Sequence, residues 1–267
     1  MKLKVYSLEK TESGEIELPS QFDEEFRPDL IKRAFIVIQN NKRQPYGAKE
    51  DAGKRASAVL SRRRHDYRGS YGHGISRVPR KIMSRRGERM NWVGAFAPGT
   101  VGGRRAHPPK SEKNWKKDIN KKERRKAIRS SISATILSET VKKRGHIIPN
   151  NYPFIIESKI EAIEKTKDVK KILEKFELKK ELDRIKKKIR PGKGTRRGRK
   201  YRINKGPLFV VSKKCNLINA AANIAGVDVT EVKNLNVELL APGANAGRLT
   251  LWTDSAIKLL EEKKLFK

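Results

Sequence analysis

Few residues of this chain have types and spacings that could make or break a covalent bond. Gly192-Lys193-Gly194-Thr195 offers glycines whose backbone N–H groups can approach an anion and a lysine to match its charge, the materials of a phosphate loop. The earlier glycine at the required distance and the apolar helix that should follow are missing. The run therefore supports contact with phosphate and gives no ground for nucleotide hydrolysis. Gly69, Gly72 and Gly74 approximate a dinucleotide fingerprint only loosely, in the wrong order and without a preceding strand. His65, His73, His107 and His146 lie in or beside basic stretches, with no carboxylate or thiol at metal or triad spacing, which favours exposure or contact with a polyanion over catalysis. Cys215, the single cysteine, opens an Ala-rich helix with no histidine near it and reads as a small buried hydrophobe. One thiol also excludes an internal disulfide and a cysteine-based zinc finger.

The chemistry that the sequence does carry is recognition of phosphate and bases. Between Lys42 and Lys110 stand eighteen Lys/Arg, thirteen of them Arg, against the acids Glu50, Asp51, Asp66 and Glu88. Lys42, Arg43, Arg62, Arg63, Arg64, Arg68, Arg77, Arg80, Arg85, Arg86, Arg89, Arg104 and Arg105 are candidate phosphate contacts. A guanidinium is a planar fork that bonds phosphate bidentately and also stacks on bases. Tyr46, Tyr67, Tyr71, Trp92 and Phe96 are interleaved with them, and aromatic faces among cations suit the unpaired bases of folded RNA. His107 belongs to the same candidate surface. The apolar residues of the stretch keep no helical or alternating period long enough to cover a core, so their burial needs atoms from a partner.

The whole composition agrees. A formal net charge of +34 and a pI near 10.4 would resist a solitary compact state and attract any polyanion. Nucleic acid is the partner expected, not a membrane: there is no apolar run of about eighteen residues and no amphipathic basic amino-terminal helix. Met1 to Lys10 lacks a signal-peptide core, so a cytoplasmic location is expected. No cofactor is called for.

The elements that must position these groups are an α/β body and an insertion. A hairpin is expected from Leu3 to Leu8 and Ile16 to Leu18, then a helix capped by Asp29 with Leu30, Ile31, Ala34, Phe35 and Ile38 on one stripe. The basic arm, 42–110, departs there. Beyond it, Asn120 to Arg144 reads as one long helix terminated by Gly145. Its basic first turns, including Arg124 and Arg125, conflict with the positive helix N-terminus unless an external anion is present. Phe154-Ile155-Ile156 reads as a buried strand, followed by helices at Asp168 to Phe176 and Leu178 to Ile189. Residues 190–206 form a second basic loop, with Arg196, Arg197, Arg199 and Arg202 as further candidate RNA contacts. From Pro207 the pattern is strand Leu208 to Val211, helix Asn216 to Ala225, strands at Val227 to Val229, Val237 to Leu240 and Arg248 to Trp252, and a last helix from Thr253 or Asp254. The fold class is α/β: one body over 1–267 with a mostly parallel sheet covered by helices on both faces, interrupted near the N-terminus by a long irregular basic arm.

Particular runs are similar to a known family. Lys42-Arg43-Gln44-Pro45-Tyr46, Arg77-Val78-Pro79-Arg80 and Val101-Gly102-Gly103-Arg104-Arg105-Ala106-His107-Pro108-Pro109 resemble the arm of large-ribosomal-subunit protein four in its archaeal and eukaryotic form. Asn120, Arg124, Ala127, Ile128, Ser130, Ile132, Ala134, Thr135, Arg144-Gly145-His146 and Gly206-Pro207-Leu208 agree with it along the rest of the chain. Ser131 stands where that family commonly has alanine, and Ile136 where it prefers a small residue. The chain stops soon after its last helix, without the long eukaryotic tail, so an archaeal source is expected. The resemblance implies a non-enzymatic constituent of the large subunit that binds 23S-type rRNA early in assembly. It also implies contact with neighbouring large-subunit proteins and an arm whose tip, near Arg85 to Trp92, reaches the exit-tunnel wall and the nascent polypeptide. The competing reading is an RNA-modifying or nucleotide-dependent enzyme built on the α/β body, which would need convergent acidic residues at the strand carboxyl ends.

Overall fold

A computed structural model describes residues 1–267 as two compact units: a body, Met1–Lys42 with Lys116–Lys267, and an insertion, Arg43–Trp115. In chain order the elements are β1 (Lys2–Tyr6), β2 (Glu12–Glu17), α1 (Pro28–Asn41), β3 (Arg80–Arg86) and β4 (Arg89–Gly94) in the insertion, α2 (Lys121–Ile136) and α3 (Ser138–Lys143). There follow β5 (Ile155–Ile156), α4 (Thr166–Lys175), α5 (Lys179–Arg184), β6 (Lys188–Ile189), β7 (Tyr201–Arg202), β8 (Leu208–Val211) and α6 (Leu217–Ala222). The chain closes with β9 (Asp228–Glu231), α7 (Val237–Leu240), β10 (Thr250–Thr253) and α8 (Asp254–Glu262).

The body's sheet runs β2-β1-β5-β10-β8-β9. Only β1 and β2 are antiparallel; every other neighbouring pair is parallel. Successive side chains of a strand point to opposite faces, and here both faces are buried, which is why β8 reads as the continuous apolar run Leu-Phe-Val-Val. Leu208 and Val210 join Leu3, Val5, Ile155 and Trp252 under α1, α2, α7 and α8. Phe209 and Val211 join Tyr6, Ile156 and Leu251 under α4 and α6 on the other face.

Four elements differ from the sequence expectation. The helix expected over Leu178 to Ile189 stops at Arg184, and Lys188–Ile189 pairs instead with β7 as a strand. The helix over Asn120 to Arg144 is broken at Leu137, which is extended (φ −71, ψ 99). Ser131, Ser133 and Thr135 turn their hydroxyls back onto the carbonyls of Ala127, Ser130 and Ile132, and the Tyr152 hydroxyl donates to the Thr135 carbonyl. That carbonyl is the acceptor that the next helical turn would have used, so the ladder stops. Gly145 (φ +95) does end α3, with the His146 N–H bonded back to the Val141 carbonyl at 3.3 Å. Val237 to Leu240 is a helical turn, not a strand: the Asn236 side chain caps it by accepting from the Leu239 N–H at 2.9 Å. The stretch expected to be wholly irregular contains the β3–β4 hairpin.

Two buried polar networks fasten the body. Arg248 is fully buried and donates to the carbonyls of Gly206 (2.8 Å), Leu239 (3.0 Å) and Gly226 (3.3 Å) and to Asp228 Oδ2 (2.5 Å). Gly226 has φ +73, and a Cβ there would lie 2.5 Å from the Asn204 carbonyl oxygen, so the junction admits only glycine. At the ends of the insertion, still within the body, Asn41 donates to the Lys117 carbonyl (3.0 Å) and accepts from its N–H (2.9 Å).

The second network overturns the reading of His146 as exposed. It is buried, with Nδ1 2.7 Å from Glu181 Oε1, and Glu181 also accepts from Arg184 and from the Ile147 N–H. A carboxylate only accepts, so Nδ1 carries the hydrogen of a neutral imidazole. Burial holds the His146 pKa below its ordinary value, against the raising influence of Glu181. The unfolded chain thus takes up the proton first, and folding stability falls as pH drops below about 6.5. His146→Gln should flatten the dependence of the urea midpoint between about pH 7 and pH 5. Superimposable profiles for variant and parent would refute the assignment.

Candidate nucleic-acid interface

The insertion has almost no core of its own: Ala95 is its one buried hydrophobic residue. Backbone crossings and ring–cation contacts hold it together. At its base Trp115 has the Arg43 guanidinium 4.0 Å from its ring centre, Lys113 Nζ at 4.4 Å and the Tyr46 ring stacked at 5.9 Å. The two chain segments are tied by Ala48 N–H to the Pro109 carbonyl (2.9 Å). They cross where Gly53 (φ +77) sits so close that a Cβ would be 2.4 Å from the Gly103 oxygen.

Farther along, β3 and β4 pair from Arg80↔Gly94 to Arg86↔Arg89, with Met83 bulged out between Ile82 and Ser84. Gly87 (φ +58) allows the tight turn. That turn sets Arg86 directly across from Arg89, and like charges at such a site destabilise the pair unless an anion lies between them. Arg85, Arg86 and Arg89 are all exposed. Arg85 donates to the Tyr67 hydroxyl at 2.7 Å, and this bond holds the Tyr67 pKa below the usual phenol value.

Aromatic rings carry many of the remaining cations. Arg64 and Arg77 lie over Tyr71 at 5.9 and 5.3 Å, Arg68 over Tyr67 at 5.3 Å, Arg80 over Trp92 at 5.5 Å and Arg104 over Phe96 at 5.7 Å. Arg62, Arg63, Arg105 and His107 are exposed. None of the thirteen arginines between 42 and 110 forms an ion pair. Lys42 differs, being bound to Glu238 within the body. The insertion is therefore a surface of cations held on rings and left without counter-charge.

The body adds two basic patches. Arg124 and Arg125 are exposed on the first turns of α2, and Arg125 donates to the Lys267 carbonyl at 2.6 Å. Between β6 and β7, Arg196, Arg197, Arg199 and Arg202 are exposed, and Tyr201 has Lys187 Nζ 4.0 Å from its ring centre. In the Gly192 to Thr195 run the Thr195 N–H is spent on the Gly192 carbonyl at 3.3 Å, and the Gly194 carbonyl accepts from the N–H groups of Arg197 and Arg199. Sequence reasoning missed Trp115 and Lys113, which lie beyond Lys110. The signal was there in Lys113-Asn114-Trp115-Lys116-Lys117, an aromatic ring set among lysines.

An enzyme on this body would need free acids at the strand carboxyl ends. Glu161 lies there, but its carboxylate accepts from Ser212 N–H (3.1 Å) and from the hydroxyls of Ser212 (2.8 Å), Thr253 (2.8 Å) and Ser255 (2.7 Å). Burial raises its pKa, but those hydrogen bonds outweigh burial and hold it below the ordinary carboxylate value. A carboxylate so occupied fixes loops; it is not poised as a base.

The model of the ribosomal protein L4/L1 family matches residues 16–263, insertion and body together. The chain belongs to that family. It is 51% identical over the full length of both chains to large ribosomal subunit protein uL4 of Nanoarchaeum equitans. The proteins of the same name from Methanocaldococcus jannaschii and Archaeoglobus fulgidus are 47% and 43% identical, each over 98% of this chain and 99% of the relative. These relatives are archaeal and colinear with the chain, which places it with the archaeal type of the family. The family's proteins are structural rather than enzymatic, which removes the enzyme reading of the body.

Proposed function

We propose that this protein is a structural constituent of the large ribosomal subunit in the cytoplasm, and that the insertion is an arm binding large-subunit rRNA of the 23S type early in assembly. The observation that carries this is the set of thirteen arginines without a carboxylate partner, many of them laid on aromatic rings. Guanidinium groups held that way present their N–H forks to phosphate while the rings remain available to unpaired bases. The 190–206 loop and the first turns of α2 are secondary contacts of the same kind, and neighbouring large-subunit proteins cover further parts of the body. By likeness to the family, the β3–β4 turn lies at the wall of the polypeptide exit tunnel. Arg86 facing Arg89 is then resolved by RNA phosphate, while Met83, exposed at the bulge, faces the passage or a base.

Crosslinkers placed singly at positions 85–92 in translating ribosomes should reach tunnel-wall RNA and the nascent chain. Replacing one of the tip arginines should cost about 1 to 3 kcal/mol locally and leave particles that assemble. The tip is misassigned if those positions reach neither target while positions in 193–201 reach both.

A further inference from the structure

A cleft of about 790 Å³ opens within the insertion, between residues 65–75 and the β3–β4 hairpin. That volume lies in the range of roughly 300–1,000 Å³ typical of small-molecule sites. Two of its walls are the rings of Tyr67 and Trp92. Arg68 and Arg80 lie over those rings, as described, so a guanidinium stands beside each of them. Stacking surface of this kind suits a flat, electron-rich heterocycle.

The acids decide which heterocycle. A surface made only for phosphate has no use for carboxylates, which repel it. Yet Asp66 and Glu88, two of the few acids in the insertion, both line this one cleft. Asp66 Oδ2 accepts from the Ser61 hydroxyl at 2.5 Å, which orients that carboxylate. Glu88 is in no ion pair despite adjoining Arg89, so its oxygens remain free to accept. Guanine is the base that presents two adjacent N–H donors on its Watson–Crick edge, matched to a carboxylate, and two acceptors, O6 and N7, matched to Arg68 or Arg89. Adenine sets an acceptor, N1, against the carboxylate, and pyrimidines offer less area to stack. We infer that the cleft takes one unpaired guanine of a single-stranded RNA segment. This rests on the RNA-binding reading of the insertion and adds a base identity to it.

Fluorescence anisotropy of the full-length protein with labelled uridine heptanucleotides carrying one central guanosine, adenosine or inosine separates the two ideas, because the strands have equal charge. The guanosine strand should bind about tenfold more tightly than the adenosine strand, with inosine, which lacks the 2-amino donor, between them. Glu88→Gln, at an exposed turn where it disturbs no packing, should shrink the guanosine preference to under about twofold, with Asp66→Asn as the second carboxylate probe. Trp92→Leu should weaken the guanosine strand by a larger factor than an all-uridine strand. Equal binding of guanosine and adenosine strands, or a preference untouched by both carboxylate variants, overturns the guanine site alone. If no heptanucleotide binds even at low salt, the RNA-binding reading falls with it.

Discussion

Joining Lys42 to Lys116 through a short Gly/Ser linker, with residues 43–115 removed, should leave a folded body that no longer stays on large-subunit rRNA. The body keeps its whole six-stranded sheet and both apolar clusters, none of which draws on the insertion. On the proposed function, by contrast, the affinity is spread over the arginines of the insertion. Six to ten phosphate contacts lose about 10³ to 10⁵ in affinity between low and moderate salt, so deleting a surface of that size should weaken binding at about 0.2 M salt by at least about a thousandfold. Far-ultraviolet circular dichroism and the urea midpoint report the body, and salt-washed cosedimentation with rRNA reports the arm. Undiminished cosedimentation at that salt would show that the body carries the affinity, and loss of the unfolding transition would show that the units fold as one.

The second large effect concerns stability. Arg248→Ala should destabilise the body by about 3 to 5 kcal/mol, the range found when one partner of a buried ion pair is removed. Four acceptors lose a donor at once: the Gly206, Gly226 and Leu239 carbonyls and the Asp228 carboxylate. Asp228 keeps Lys205 and the Gly226 carbonyl keeps the Gly206 N–H, both at 2.8 Å, so the loss falls mainly on the Gly206 and Leu239 carbonyls. Arg248→Lys should recover little, because an ammonium cannot span acceptors from three segments in one plane. Chemical unfolding of the variants gives the difference directly, and a loss below about 1 kcal/mol would mean that water or a shifted chain replaces the guanidinium.

How much of this was legible beforehand depends on whether local pattern or distant partners decide the element. The continuous apolar run Leu208 to Val211 announced a strand buried on both faces, and that is its place in the sheet. The stripe Ile31, Ala34 with Leu30, Phe35 and Ile38 on α1 was equally plain, and Val37 of the same helix is buried as well. Leu137 was not legible, because what interrupts the helix there is a Tyr152 hydroxyl reaching from another part of the chain. Val237 to Leu240 has the composition of a strand, and only the Asn236 cap, one residue outside the run, speaks for a turn of helix. In the candidate interface the arginines and rings were visible by type. Which cation sits on which ring, and that His146 is a buried partner of Glu181, required the fold. Arg248 carried no signal of burial, since its acceptors are mostly backbone carbonyls that no side-chain pattern marks.

The reciprocal hydrogen bonds between Asn41 and Lys117 have a consequence in polymer terms. They close the body's chain at the point where the insertion leaves it, so that to the body the excursion is a single loop whose ends are already joined. The entropy of such a closure grows only with the logarithm of loop length, about 0.6 kcal/mol for each doubling. The body is therefore nearly indifferent to how long the arm is. Its length is free to change, residue by residue, without a compensating change anywhere in the sheet or its helices.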